Sequence, residues 1–346
     1  MQSIRDAHDD DVEHDGISAF EDDLNEEPSA LLRRLRADVR LAASILLPSE
    51  QRILVDLYYQ SQESRKRAFN QARAAALGPN EVVILLSAHM LTLEKTIVSA
   101  LDVSVRQTPL GRWCLAQYGI GPVLTAGLLA DIDITKAKTA SAIWRYCGLD
   151  PTSIWGKGMK RPWNARLKVL CYKIGVSFLK FSRRPECVYG HLYAGYKQRE
   201  IALNDSGQHL AEAARMVATH AWKETTMAIH WYTGCYPAGT TAAIMALPLV
   251  QREPYLARVR VPQGHGLPML PPAHLDARAR RHAVKIFLSH YFEVAYTLHY
   301  GTPPAPPYIF LQDPARHTHR IPVPHWPFSA SGEEPKTSRD PSGASV

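Results

Sequence analysis

The sequence predicts a mostly α-helical protein: a helical hairpin or coiled-coil region followed by a helical domain that contains a helix-hairpin-helix. Three observations predict this. Apolar residues recur at three- and four-residue steps along most of the chain. Gly and Pro stand where those runs stop. No run of alternating apolar and polar residues suggests strands, and no internal repeat is visible. At 346 residues the chain is long enough for two cores.

The elements follow in order. Residues 1–28 hold few apolar anchors and read as a disordered acidic tail. The first thirty residues carry eleven acids against Arg5, a local net of −10, which leaves +17 on the rest of a +7 chain. Residues 29–108 form the helical hairpin or coiled-coil region. A first helix carries Leu32, Leu35, Val39, Ala42 and Leu46, and Pro48 interrupts it. A second runs from Gln51 to Leu77 with Ile53, Leu54, Leu57 and Tyr58 on one face. Gly78-Pro79-Asn80 turns the chain into a third, Glu81 to Leu101. These two long helices pack as an antiparallel hairpin or pair with a second copy of the chain, a homo-oligomer through 51–101 being the second alternative; neither carries a strict heptad long enough to decide.

Residues 109–236 make the helix-hairpin-helix domain. Its elements are a hairpin from about Leu110 to Ile134, a short helix at Ser141–Cys147 ended by Gly148, and a loop over Asp150–Pro162. A helix over Asn164–Phe181 follows, then one or two helices over Tyr189–Thr226 broken at Asn204-Asp205-Ser206-Gly207. A Pro/Gly-rich connection at 237–272 leads to a C-terminal helix and Pro-rich segment at 273–328, the helix being Asp276–Tyr300 with Asp276 as its cap. Residues 329–346 read as a second disordered tail.

The most informative stretch is Tyr118-Gly119-Ile120-Gly121-Pro122-Val123-Leu124. Glycines suit backbone conformations closed to other residues and leave room for a ligand. Pro122 fits the first turn of a helix. There the unpaired N–H groups and the positive end of the helix dipole can hold a phosphate. Gly119, Ile120, Gly121 and Val123 are therefore candidate DNA-backbone contacts, the alternative being an ordinary helical turn.

A second signal lies just downstream. From Arg145 to Arg184 there are ten basic residues and one acid, Asp150. Such a run repels itself unless an anion relieves it. Lys157, Lys160 and Arg161 share a loop with Trp155 and Trp163, where cations reach phosphates and indoles stack. Arg166, Lys173 and Lys180, seven apart, share one helix face. Lys157, Lys160, Arg161, Arg166 and Lys173 join the candidate DNA contacts. Arg278, Arg281 and Lys285 make a weaker basic stripe on the last helix.

Three ordered blocks carry a family resemblance: Gly119-Ile120-Gly121-Pro122, Ala142-Ile143-Trp144-Arg145-Tyr146-Cys147-Gly148-Leu149-Asp150-Pro151, and Lys160-Arg161-Pro162-Trp163-Asn164-Ala165-Arg166-Leu167. Together they resemble the C-terminal domain of the insertion-sequence transposases named for elements one-ten, one-sixteen and nine-oh-two, the RNA-guided recombinase class. The resemblance covers Trp113 to Phe181. It implies a DNA-binding protein of a mobile genetic element, acting in transposition or recombination, with DNA and structured RNA as partners. In that family an N-terminal RNase-H-like domain binds a divalent metal through carboxylates, and a serine in the loop after the second block is the nucleophile.

The sequence departs from that pattern. No early strand carries a Gly-x-Asp, so no cofactor is evident, and a divalent metal is expected only where an associated nuclease domain or partner supplies its site. Ser153 is the one serine between Ser141 and Ser177; Ile154 rather than glycine follows it, in a compressed loop. It is the candidate catalytic residue, with an ordinary loop serine as the alternative and enzymatic activity left open. The other alternative is a non-enzymatic helical interaction protein. His317, His319 and His325, with His282, His290 and His299 on the last helix, lack a carboxylate or cysteine at ligand spacing, so no metal site is assigned.

The apolar runs Val82–Leu86 and Ala242–Val250 fall short of the about 20 residues a bilayer span needs, so no membrane partner is expected. The acidic N-terminus resembles neither a signal nor a transit peptide. Five scattered cysteines without a Cys-x-x-Cys pair point to reduced thiols and a cytoplasmic protein.

Overall fold

The computed structural model describes residues 37–74, 81–219, 227–234, 268–307 and 320–327. The acidic tail, the start of the first helix, the Gly78-Pro79-Asn80 turn, nearly all of the Pro/Gly-rich connection, the segment carrying His317 and His319, and the C-terminal tail lie outside these residues. Among the described residues all regular structure is helical. The described residues divide into two units, one from 37–74, 81–116, 120–136 and 327, the other from 117–119, 137–219, 227–234, 268–307 and 320–326.

In the first unit, a helical turn at 37–42 tightens into a 3-10 turn, Ala43–Ile45, before Pro48 opens α1, Pro48–Ala74. Glu50 reaches back to accept the Leu47 N–H at 2.7 Å, filling an amide left unpaired at the helix start. α2, Glu81–Arg106, pairs with α1 in antiparallel fashion, since Gln51 Nε2 donates to Ser104 Oγ at one end while Arg65 meets Glu94 further along. The sequence-expected hairpin is thus made within one chain. α3, Pro109–Ala116, and α4, Pro122–Asp131, complete the unit. A side chain at Gly111 would stand 1.9 Å from the Val105 carbonyl oxygen, so only glycine lets α3 fold back here. Val55, Ile97, Leu101, Val105, Val123 and Ala126 form the core, with Leu54 and Tyr58 packed on it. Ile53 and Leu57, expected on the same inward face, are exposed instead. The buried stripe centres on Val55, about two residues round the helix from Ile53 and Leu57.

Val82–Arg106 of α2 is long and apolar enough to cross a membrane by length and composition, because the short run seen in the sequence continues beyond Leu86. In the structure this stretch packs against α1 and α4 and carries the buried Glu94.

The second unit holds α5, Ala140–Tyr146; α6, Ala165–Lys180; α7, Val188–Asp205; α8, Leu210–Thr219; α9, Met227–Thr233; and α10, Pro272–Tyr300. Thr139 caps α5 and Asn164 caps α6 through side-chain oxygens. α5, α6 and α7 all pack on α10, the central helix. The rings of Phe178, Tyr189 and Phe287 meet at centroid distances of 5.0 to 5.7 Å at this junction. Asn204, at the predicted break after α7, exchanges two hydrogen bonds with the Leu270 backbone. α10 begins at Pro272 with Pro271 at its N-cap, five residues before the expected cap. Asp276 therefore caps nothing: its carboxylate takes Lys197 at 2.6 Å, Arg280 at 2.8 Å and the Tyr193 hydroxyl. Gly301, in the left-handed region at φ 72°, ends the helix.

Candidate nucleic-acid interface

The turn between α3 and α4 shows two glycines with different reasons. Gly119 has φ +92°, and a side chain there would stand 3.3 Å from Ser177 Oγ and 3.5 to 3.6 Å from Phe181 and Phe178. Its bare backbone thus faces α6, not a ligand. Ser177 Oγ donates to the Gly119 carbonyl at 2.6 Å, Cys187 Sγ lies 3.5 Å from the Tyr118 carbonyl, and the Tyr118 ring meets Phe181 edge-on. Gly121 has an ordinary extended φ of −96°, open to any residue, and a methyl group added there would find no atom within 4 Å. Ile120 and Val123 are buried at 4% and 8% exposure, so neither offers a side chain. The Val123 and Leu124 N–H groups have no acceptor among the described residues, whereas Thr125 N–H is bonded to the Gly121 carbonyl.

The downstream loop is built by short-range bonds. Asp150 accepts from the Thr152 side chain and backbone and from Arg145, and these bonds, in that order, hold its pKa down to about 2. Trp155 Nε1 donates to the Met159 carbonyl at 2.9 Å across a turn that Gly158 makes at φ +85°. The Arg161 guanidinium sits 4.9 Å from the Trp155 ring centre, and Trp155 meets Trp163 edge-on at 6.2 Å. Asn164 fastens the loop's end to α5: its N–H donates to the Tyr146 carbonyl at 2.9 Å and its Nδ2 to the Tyr146 hydroxyl at 3.1 Å. Tyr146, Lys160, Arg161, Pro162, Trp163 and Asn164 line an open cleft of about 560 Å³. Gly148, at φ +67°, is required beneath it, since a side chain would come 2.8 Å from the Trp163 ring.

Behind the cleft, cations from three elements converge. Lys168 Nζ on α6 lies 4.2 Å from the Trp163 ring centre, and Lys285 Nζ on α10 lies 5.3 Å from that of Trp144, whose indole donates to the Lys285 carbonyl. Burial first, then the Arg161 and Arg281 charges, hold the Lys168 ammonium below its ordinary pKa. Burial likewise lowers Lys285, opposed by Asp150 and reinforced by Arg281. Arg281 is lowered by burial and by Arg278 and Arg280 against the pull of Glu212. Neither Arg161 nor Lys168 has a carboxylate partner among the described residues. An anion placed here relieves repulsion already present in the fold.

The structure thus regroups the residues expected from sequence. Lys160 and Arg161 join Lys168, Arg281 and Lys285, and Lys157 is exposed on the same loop. Arg166 and Lys173 border the opposite edge of the buried face of α6, roughly 200° round the helix from Lys168. Arg278 is drawn out of the expected stripe: it pairs with Glu200 at 2.7 Å and Glu212 at 2.6 Å. Lys168, Trp144 and Tyr146 were legible as members of the basic run and the second block, but not as neighbours. The i, i+4 spacing of Arg281 and Lys285 was visible, its place beside α6 was not.

Ser153 is partly buried, and its hydroxyl has no hydrogen-bond partner among the described residues. His282 stacks on Tyr196 at 3.8 Å, and His299 meets Tyr300 edge-on. His290 bonds the Ile321 carbonyl through Nε2 at 3.1 Å, which places its proton there and leaves Nδ1 to accept from the Tyr189 hydroxyl at 2.9 Å. Burial chiefly pushes its pKa down to about 4. No group of three potential metal ligands converges among the described residues. No family model matches the chain, and no curated protein or solved structure matches it either.

Proposed function

We propose that this chain is a DNA-binding protein of a mobile genetic element, similar to the DNA-gripping half of an insertion-sequence transposase, acting in the cytoplasm in DNA transposition or recombination. The observation that carries this reading is the convergence of Arg161, Lys168, Arg281 and Lys285 beside Trp144 and Trp163. Cations that lower one another's pKa, two of them without a carboxylate, select a polyanion. The helix-hairpin-helix adds a second contact: the Val123 and Leu124 N–H groups and the open space at Gly121 admit one phosphate at the start of α4. Lys157 and Lys160 hold adjacent backbone, and Arg166 and Lys173 the strand on the other edge of α6. The binding positions DNA rather than reading its bases. Strand transfer then requires a partner that supplies a metal-dependent nuclease. A structured RNA partner and self-association through residues 51–101 belong to the same reading.

Fluorescence anisotropy with a labelled duplex over about 50 to 400 mM salt tests it, because each phosphate contact contributes about 0.9 to the log–log slope. A steep slope in the wild type, flattened in Lys160→Glu/Arg161→Glu/Lys168→Glu, is expected. Undetectable or salt-insensitive binding overturns the reading.

A further inference from the structure

Backbone contact needs cations, yet the cleft between α5 and the loop also presents aromatic faces. Tyr146, which lines the cleft with Trp163, is 45% exposed, and Trp155 on the adjoining loop is 42% exposed, large rings of a kind normally packed away. Tyr146 is also held firmly, with its carbonyl and its hydroxyl both bonded to Asn164. Asn164 is itself fixed, because its Oδ1 caps α6 by accepting the Leu167 N–H at 3.2 Å. The ring is therefore set before any ligand arrives, which removes the entropy cost of ordering it on binding.

We propose that this cleft receives one unpaired nucleotide of a DNA strand, the base stacking on the Tyr146 ring and its phosphate meeting Lys160 and Arg161. The proposal rests on the DNA-binding reading above and adds the state of the DNA. Within a duplex both faces of a base are covered by its neighbours, so a protein ring has nothing to stack on. An unpaired base offers a free face, and stacking on an aromatic side chain tolerates any base. A volume of about 560 Å³ suits a single nucleotide, within the roughly 300–1,000 Å³ of small-ligand sites. The phosphate requirement is met at the rim, where Lys160 and Arg161 have no carboxylate partner among the described residues and Trp155 steers the Arg161 guanidinium. The adjoining Lys168, Arg281 and Lys285 cluster then tracks the flanking backbone.

The test uses the full chain and anisotropy with three labelled probes: an oligothymidylate of about fifteen nucleotides, within the usual range of single-strand site sizes, a duplex of equal length, and the matching oligouridylate. Tyr146→Ala is expected to weaken thymidylate binding by about ten-fold or more, as loss of one stacking platform does, while duplex affinity stays within about two-fold. Tyr146→Phe, which keeps the ring, retains thymidylate binding. A 2-aminopurine placed in the thymidylate is quenched on binding to the wild type and to Tyr146→Phe but not to Tyr146→Ala; far-ultraviolet circular dichroism verifies that each variant folds. Equal thymidylate affinity in wild type and Tyr146→Ala, an equal loss on duplex, or binding of uridylate without thymidylate overturns the proposal. Salt-sensitive duplex binding with Tyr146-insensitive thymidylate binding sinks this proposal alone; absence of binding to either DNA sinks the DNA-binding reading as well.

Discussion

Ser177 donates its hydroxyl proton to the carbonyl oxygen of Gly119 at 2.6 Å, which ties the turn between α3 and α4 to the C-terminal half of α6. The Tyr118 ring meets Phe181 edge-on beside this bond, so residues 117–119 are held within the second unit. Gly119 is crowded by Ser177, Phe178 and Phe181, whereas a side chain at Gly121 would meet no atom within 4 Å.

Gly119 and Gly121 should therefore respond differently to alanine. Gly119→Ala imposes a positive φ on a residue with a side chain and crowds Ser177 and Phe181, a cost of about 1–3 kcal/mol. Gly121→Ala meets no neighbour, so stability changes by less than about 0.5 kcal/mol while duplex affinity falls. Urea denaturation beside anisotropy separates the two; equal destabilisation by both contradicts the geometry.

The basic residues of α10 divide in the same way. Arg278 pairs with Glu200, which is 2% exposed and also meets His209 at 3.1 Å, so Arg278→Met takes the guanidinium from a buried carboxylate and costs about 3 kcal/mol. Lys168→Gln and Lys285→Gln remove charges that repel their neighbours. Each is expected to flatten the duplex salt slope by about one without loss of stability. Titrations of the three variants in urea and in salt distinguish these roles.

Arg65 and Glu94 form a two-pronged pair at 2.8 and 3.0 Å between α1 and α2, both nearly inaccessible to water. Arg65→Met alone should cost about 3–5 kcal/mol, since it leaves Glu94 charged and buried. Arg65→Met/Glu94→Leu should recover most of that loss, measured as the urea midpoint.

His290 makes stability fall in acid. Its folded pKa, about 4, lies below the ordinary value of 6.5, so the unfolded chain binds the proton first as pH drops. The stabilisation is complete above about pH 6.5 and is lost progressively towards pH 4, on the order of 3 kcal/mol for this group. His274 and His282, both lowered chiefly by burial, act in the same direction. Urea midpoints between pH 7.5 and 4.5 should fall less steeply in His290→Gln than in the wild type.

Much of the local structure was legible in the sequence for physical reasons that act at short range. Pro48, Pro122 and Asn164 start helices by backbone restriction or capping, and Gly301 stops one, so the element order follows from neighbours in the chain. Periodicity was a weaker guide to which face is buried. It placed Ile53 beside Leu54 and Tyr58, yet burial depends on where α2 and α4 lie, and those turn Val55 inward. Asp276 read as a cap because acids favour helix starts, but Pro271-Pro272 begins the helix earlier, and the carboxylate answers to Lys197, 79 residues away.

The Gly-Ile-Gly-Pro turn, the basic run and the helical class were determined by the sequence alone, since conformation at glycine and proline and the density of charge are properties of adjacent residues. The grouping of the charges was decided only by tertiary structure. α10 carries Arg281 beside both Lys168 and Lys285 while committing Arg278 to Glu200 and Glu212, and Asn164 fixes Tyr146 from 18 residues away. Electrostatic and stacking energies depend on distance through space, and packing on α10 sets those distances.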